Sequence, residues 1–211
     1  MSRPAATAQQ RREAAEARRA RRAEITEPDV VMEAAAAFLA VRPRSVEETR
    51  RRLVQLGYPP ALCEQVVERL VELGYLDDAA FARAWVESRD RARPRGAVAL
   101  RRELQRKGVP EDIIRLALDE RAAAGAAAHD GTSAASPEAG SASAAAPSAD
   151  REAARRLIER RAAALSREPD PRRRRQKAYA LLARNGFAPD ICAELASSVA
   201  DDPAEDVAGS V

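Results

Sequence analysis

The chain has 211 residues, of which 45% are hydrophobic, 33% charged and only 3% aromatic, with a formal net charge of +3. Much of the hydrophobic fraction is alanine, and with leucine, arginine and glutamate so common and β-branched or aromatic runs almost missing, the composition predicts an all-helical protein. No stretch approaches the roughly 18 uninterrupted apolar residues of a membrane span, and the arginines of Ser2 to Arg22 come without the apolar segment of a secretory signal, so a cytoplasmic, membrane-free protein is expected.

Residues 1–28 carry Arg11-Arg12, Arg18-Arg19 and Arg21-Arg22 among alanines and glutamates. With no apolar stripe to bury, this extension is expected to be mobile or transiently helical. A first helix is expected from Asp29 to Val41, ended by Pro43. Ser45-Val46-Glu47-Glu48 then fits a capping box, in which serine and glutamate exchange hydrogen bonds with each other's backbone. Val46, Thr49, Leu53 and Leu56 follow at helical spacing, and after Gly57-Tyr58-Pro59-Pro60 the stripe resumes with Leu62, Val66, Val67 and Leu70 to a stop near Gly74. Residues 29–76 thus read as one three-helix repeat.

A second repeat spans 77–121. Asp77-Asp78 opens a helix with Phe81, Trp85 and Val86 inward; Pro94-Arg95-Gly96 breaks it; Val98, Leu100 and Leu104 mark the next helix, and Ile113, Ile114, Ala117 and Leu118 the one after Pro110. Residues 122–149 are Ala, Gly, Ser and Pro with almost no large apolar side chain, a composition that predicts a flexible insert, with alanine-rich helix as the lesser alternative. A third repeat covers 150–200 through Leu157, Ile158, Leu165, Ala178, Leu181, Leu182, Ile191, Leu195 and Val199, and 201–211 form an acidic tail expected to fray.

One spacing ties the repeats together. Leu53, Gly57, Leu62; Leu104, Gly108, Ile113; and Leu182, Gly186, Ile191 each place glycine four residues after a leucine and an aliphatic residue five beyond. A helix that ends on a left-handed glycine and restarts after a short proline-bearing turn produces this pattern. Three stacked units of this kind predict an elongated, curved helical array with an extended binding surface and no catalytic pocket.

The remaining chemistry is sparse. Cys63 and Cys192 each lie six residues past their glycine, which suits one shared, inward, reduced position. His129 has no metal-binding partner nearby in sequence, so neither zinc nor any other cofactor is expected. Asp77 and Asp78 could form a paired-carboxylate site, but their place before an amphipathic helix favours capping. Phe81 and Trp85, four apart on one face, could stack bases; core packing, with Trp85 buried, is the favoured reading.

Charge is uneven. From Arg89 to Lys107 eight basic residues face only Asp90 and Glu103, and from Arg155 to Lys177 ten face Glu159, Glu168 and Asp170. Arg50, Arg51, Arg52, Arg101, Arg102, Arg106 and Lys107 could be solvated helix faces, yet Arg50-Arg51 and Arg101-Arg102 fall seven and six residues before their glycines. Stacking would align them into a stripe suited to phosphates or an acidic groove. In the third repeat Ala178 and Tyr179 stand around the equivalent place. Arg89, Arg91, Arg93 and Arg95 exceed what a helix C-terminus needs, while Arg172, Arg173, Arg174, Arg175 and Lys177 crowd a helix N-terminus that disfavours cations.

At Gly74-Tyr75-Leu76-Asp77-Asp78, Phe81-Ala82, Trp85 to Arg89, Gly96, Leu104 and Lys107-Gly108-Val109 the chain resembles the RecX family, regulators of the RecA recombinase. The resemblance is densest from Ser45 to Ala117 and weak in the third repeat. It implies tandem three-helix repeats that lie along the groove of the RecA–DNA filament, contact DNA as well, and inhibit the recombinase's ATPase, strand-exchange and co-protease activities in DNA repair and the SOS response. The partners expected are RecA, its DNA filament and single- or double-stranded DNA, bound by a non-enzymatic monomer. The arginine-rich extension and the long insert depart from the common pattern. Two rivals remain: a stand-alone helix-turn-helix DNA-binding protein and a protein-only helical scaffold.

Overall fold

The computed structural model describes residues 7–129 and 146–201; residues 1–6, the centre of the expected insert at 130–145 and the acidic tail at 202–211 lie outside the described residues. Among the described residues every regular element is a helix. They are α1 (Ala8–Ala23), α2 (Pro28–Leu39), α3 (Val46–Leu56), α4 (Pro60–Glu72), α5 (Asp78–Ala92), α6 (Ala97–Arg106), α7 (Glu111–His129), α8 (Ala146–Glu159), the single turn α9 (Ala162–Leu165), α10 (Pro171–Arg184) and α11 (Pro189–Asp201).

The glycine spacing has the expected cause. Gly57, Gly108 and Gly186 have φ of 103°, 76° and 79°, the left-handed region where a side chain is strained, so each ends its helix and turns the chain toward the next. Counting from these glycines recovers the core. Thr49, Leu100 and Ala178 eight residues before, Leu53, Leu104 and Leu182 four before, and Cys63, Ile114 and Cys192 six after are all fully buried. Both cysteines are free, and their Sγ atoms face the carbonyl one residue past the glycine, that of Tyr58 at 3.8 Å and of Phe187 at 3.5 Å. Burial raises both thiol pKa values, which keeps them protonated and inert.

Three elements depart from the sequence reading. α1, expected to be mobile or transiently helical, is a helix over Ala8–Ala23 opened by a capping box between Thr7 and Gln10 that the reading did not name. It buries none of its own residues, but Arg22 donates to the Leu56 carbonyl at 3.3 Å and stacks 5.5 Å from the Tyr58 ring, which moors it to the end of α3. α2 ends at Leu39, two residues early. α7 runs on to His129 through sequence assigned to the insert, because small residues let helices approach closely: a Cβ on Gly125 would stand 2.7 Å from the Ala149 Cβ of α8.

The chain divides into two compact units, one comprising residues up to Phe81 together with Lys107–Val109, the other Ala82–Arg106 and everything from Pro110 on. In the first, Val31, Ala35, Leu53, Cys63, Val66, Val67, Leu70 and Leu76 form the core between α2, α3 and α4. In the second, Ala153, Ala154, Leu157, Leu182, Phe187, Ile191, Cys192 and Leu195 do so between α8, α10 and α11.

Each unit contains the same joint. In the first, Ser45, the N-cap of α3, donates its hydroxyl to the Lys107 carbonyl at 2.5 Å, and the Val46 N–H donates to Asp78 at 3.0 Å. In the second, the Gly96 N–H donates to the Asn185 carbonyl at 3.0 Å, and the Ala97 N–H to Asp150 at 3.0 Å. Ser45 and Gly96 are each twelve residues before their own glycine, and Lys107 and Asn185 immediately precede the next one. Capping at Asp77-Asp78 is therefore divided: Asp77 accepts from Ala79 and Ala80 of its own helix at 2.8 and 2.9 Å, while Asp78 turns back to α3.

Candidate functional site

The outer faces of α3 and α6 carry the matched arginines, because Leu53 and Leu104 fix the opposite faces inward. The structure places them among acids. Arg50 binds Glu47 at 2.6 Å and Glu64 at 2.7 Å, Arg51 binds Glu47 at 2.9 Å, and Arg101 binds Glu111 at 3.2 Å. The Glu47 hydrogen bond raises the Arg50 pKa against the opposing effect of burial. Arg52 lies 5.8 Å from the Phe38 ring, and Arg102 and Arg106 are exposed. Exposed pairs of this kind are worth only about 0.2–1 kcal/mol, so a phosphate or carboxylate can replace the internal acid at small cost.

The row Arg89, Arg91, Arg93 and Arg95 is split by direction. Glu103, which the sequence reading treated only as stray charge, gathers Arg89 at 2.7 Å, the Trp85 indole N–H at 2.9 Å and Arg95 at 3.6 Å. Arg89 stacks 4.3 Å from the Trp85 ring. Trp85 is therefore half-buried and not a core residue, since its N–H needs a partner and finds it at the surface of α6; Phe81 is buried as expected. Arg95 also donates to Asn185 at 2.7 Å, Arg91 pairs with Glu87, and Arg93 is exposed. The end of α5 is instead capped by Arg160, which donates to the carbonyls of Ala92 at 2.7 Å and Arg91 at 2.6 Å.

Two expected contact residues face inward. Lys107 is mostly buried, binds Glu48 at 2.8 Å and lies 5.7 Å from the Phe81 ring, because its carbonyl is drawn into the joint with Ser45. Arg174 is buried and donates to the Glu168 carbonyl at 3.1 Å. The cationic start of α10 is also less mismatched than its sequence implied: Asp170 caps Arg172 and pairs with Arg173, and Lys177 binds Glu168, whose pKa that bond lowers. Arg172 and Arg175 remain exposed. No local pattern points to Arg121, whose side chain is 8% exposed and bridges Asp90 at 2.8 Å and Asp150 at 2.5 Å. Burial opposes its charge, but the two carboxylates outweigh it and raise its pKa.

Among the described residues no group of three or more His, Cys, Asp or Glu side chains is placed to hold a metal ion, and no helix is long and apolar enough to cross a membrane. What the geometry defines is a protein of small helical modules whose exposed arginines are in several cases paired with glutamates. Residues 32–70, 77–118 and 149–195 match the first, second and third three-helix domains of RecX, and the chain belongs to the RecX family. It is 42% identical over 87 residues to the regulatory protein RecX of Prosthecochloris aestuarii, covering 41% of this chain and 58% of that protein. Against the regulatory protein RecX of Mycolicibacterium smegmatis it is 40% identical over 81 residues, 38% of this chain and 43% of that one. The matched stretch thus spans about half the length of these relatives. A crystal structure of RecX from Lactobacillus salivarius has the same fold with a TM-score of 0.59 at 18% identity, over 82% of this chain and 96% of that one.

Proposed function

We propose that this protein is a non-enzymatic regulator that inhibits the RecA recombinase by docking on its DNA filament. The observation that carries this reading is that all three RecX domains occur in order along the chain, each with its left-handed glycine. Repetition suits a partner that is itself periodic, because successive modules can engage successive protomers. On the second unit the contact residues are Arg101, Arg102 and Arg106 of α6, Arg93, and Arg172, Arg173, Arg175 and Lys177 of α10; on the first unit they are Arg50, Arg51 and Arg52 of α3. Lys107 and Arg174 act as structural residues.

The test is the DNA-dependent ATPase of RecA with this protein added at substoichiometric ratios. Turnover falls if the reading holds, and Arg101→Ala/Arg102→Ala/Arg106→Ala weakens both the inhibition and its salt sensitivity. Unchanged turnover removes the regulatory reading. Equal binding to RecA with and without DNA favours a protein-only scaffold, and a defined footprint on DNA without RecA favours a sequence reader.

A further inference from the structure

Among the described residues, none of the arginines of helix α1 forms an ion pair with an acid of the chain. Among the described residues the side chains of Arg11, Arg12, Arg18 and Arg21 are exposed and have no hydrogen-bond or ion-pair partner, whereas Arg50, Arg51, Arg89, Arg91 and Arg101 are each held by a glutamate. The side of α1 bearing Glu16, Arg19, Ala20 and Ala23 faces Val54, Gly57, Tyr58 and Pro60 across a shallow groove. This fixes which side points away. At 3.6 residues per turn, Arg11, Arg18 and Arg21 fall within an arc of about 80° on the opposite side, spread over about 15 Å of helix. Glu13, which Gln9 holds at 3.1 Å, and Glu16 lie off that stripe.

We infer that α1 is a binding arm for the phosphate backbone of double-stranded DNA. A straight row of unpaired guanidiniums matches a rigid rod carrying one negative charge per about 1.7 Å. α1 has no aromatic residue on which to stack unpaired bases, which disfavours a single strand. It has no apolar face beyond alanine to enter a membrane, and no large anchor to fill a protein pocket. Its mooring through Arg22 and Gly57 holds the stripe at a fixed place on the first unit: a Cβ on Gly57 would stand 2.4 Å from the Arg19 Cγ and 2.8 Å from the Arg19 carbonyl, so only glycine admits the helix there.

The experiment uses the full chain without any recombinase, so its result is independent of the regulatory reading. Binding to a labelled random-sequence DNA duplex of about 30 base pairs is measured across salt concentrations for the native chain and for Arg11→Ala/Arg18→Ala/Arg21→Ala. Three lost phosphate contacts lower the slope of log K against log salt by about 2.7, so raising salt from about 50 to 200 mM weakens the native chain roughly 40-fold more than the variant. Circular dichroism should be unchanged, since alanine favours helix, and the corresponding lysine variant should keep the slope. An unchanged slope and affinity in the alanine variant overturns the inference. So does a larger loss on a single strand than on the duplex, or a loss confined to anionic lipid vesicles.

Discussion

The two units build one joint from different chemistry. Around Ser45 the joint is held by a hydroxyl, a carboxylate cap and the mostly buried Glu48–Lys107 pair. Around Gly96 there is no side chain at all: a Cβ there would lie 2.1 Å from the Gly186 carbonyl oxygen, and the cohesion comes from Arg121 locked between Asp90 and Asp150. Repeat one has the buried Leu70 at the place of Arg121, thirteen residues past the glycine. Backbone geometry is thus the shared element, while the side chains divide between a joint held by a hydroxyl and a carboxylate cap, with Leu70 beside it, and one held by the Arg121 ion pairs. The ionic kind is costly to break because either partner left alone is an unpaired buried charge.

The widest test of that contrast is Arg121→Ala. It leaves two aspartates without their counter-charge and is expected to destabilise the second unit by about 3–5 kcal/mol. Trp85, the only tryptophan, lies in that unit, so the loss should register as a lower urea midpoint of its fluorescence. Amide exchange should accelerate in α6 to α8 more than in α3 and α4. A change of less than about 1 kcal/mol would mean that Arg121 merely fills space, as Leu70 does.

Gly96→Ala probes the backbone half of the comparison. Its new methyl meets main chain of Gly186 and Phe187, which cannot rotate away, so a loss of about 1–3 kcal/mol is expected. Gly74→Ala is the control. That glycine has φ of 74° but nothing within 4 Å of the added Cβ, so only the left-handed strain of about 1 kcal/mol should appear. Thermal unfolding of the two variants side by side would reverse the argument if Gly74→Ala proved the more damaging.

The repeats were legible because their causes are local. Gly57, Gly108 and Gly186 end helices by backbone conformation, and Ser45 and Glu48 cap one over three residues, both within a few positions of the signal. Long-range partners were not. Nothing near Arg121 in sequence points to Asp150, 29 residues away, and nothing near Lys107 points to Glu48, 59 away. Charge counting therefore placed Lys107 and Arg174 outside when both face inward, and it overlooked Glu103, whose role depends on three helix positions meeting. α1 read as at most transiently helical for a related reason. Its stability comes from a capping box and from mooring to Gly57, not from the apolar stripe that helix patterning looks for.

The smallest effect concerns pH and separates two carboxylates of the Ser45 joint. Burial works against the charge of Glu48, but the Lys107 ammonium and the Ser45 N–H outweigh it and hold its pKa below the ordinary 4.5. The unfolded chain then binds the proton first as pH falls, so the stabilisation from Glu48 is full above about 4.5 and is lost as pH drops through its folded value. Asp78 has the opposite sign. Burial is its largest influence and raises its pKa despite the Val46 N–H, so its charging works against folding, and that cost appears as pH rises through the raised value. Glu48→Gln should lower stability at neutral pH by about 0.5 kcal/mol and flatten the acid limb of the urea midpoint. Asp78→Asn should leave that limb in place and remove the opposing drift above it. If Glu48→Gln left the acid limb as steep as in the native chain, the pair with Lys107 would be no more than a surface contact, and the first joint would rest on Ser45 and Asp78 alone.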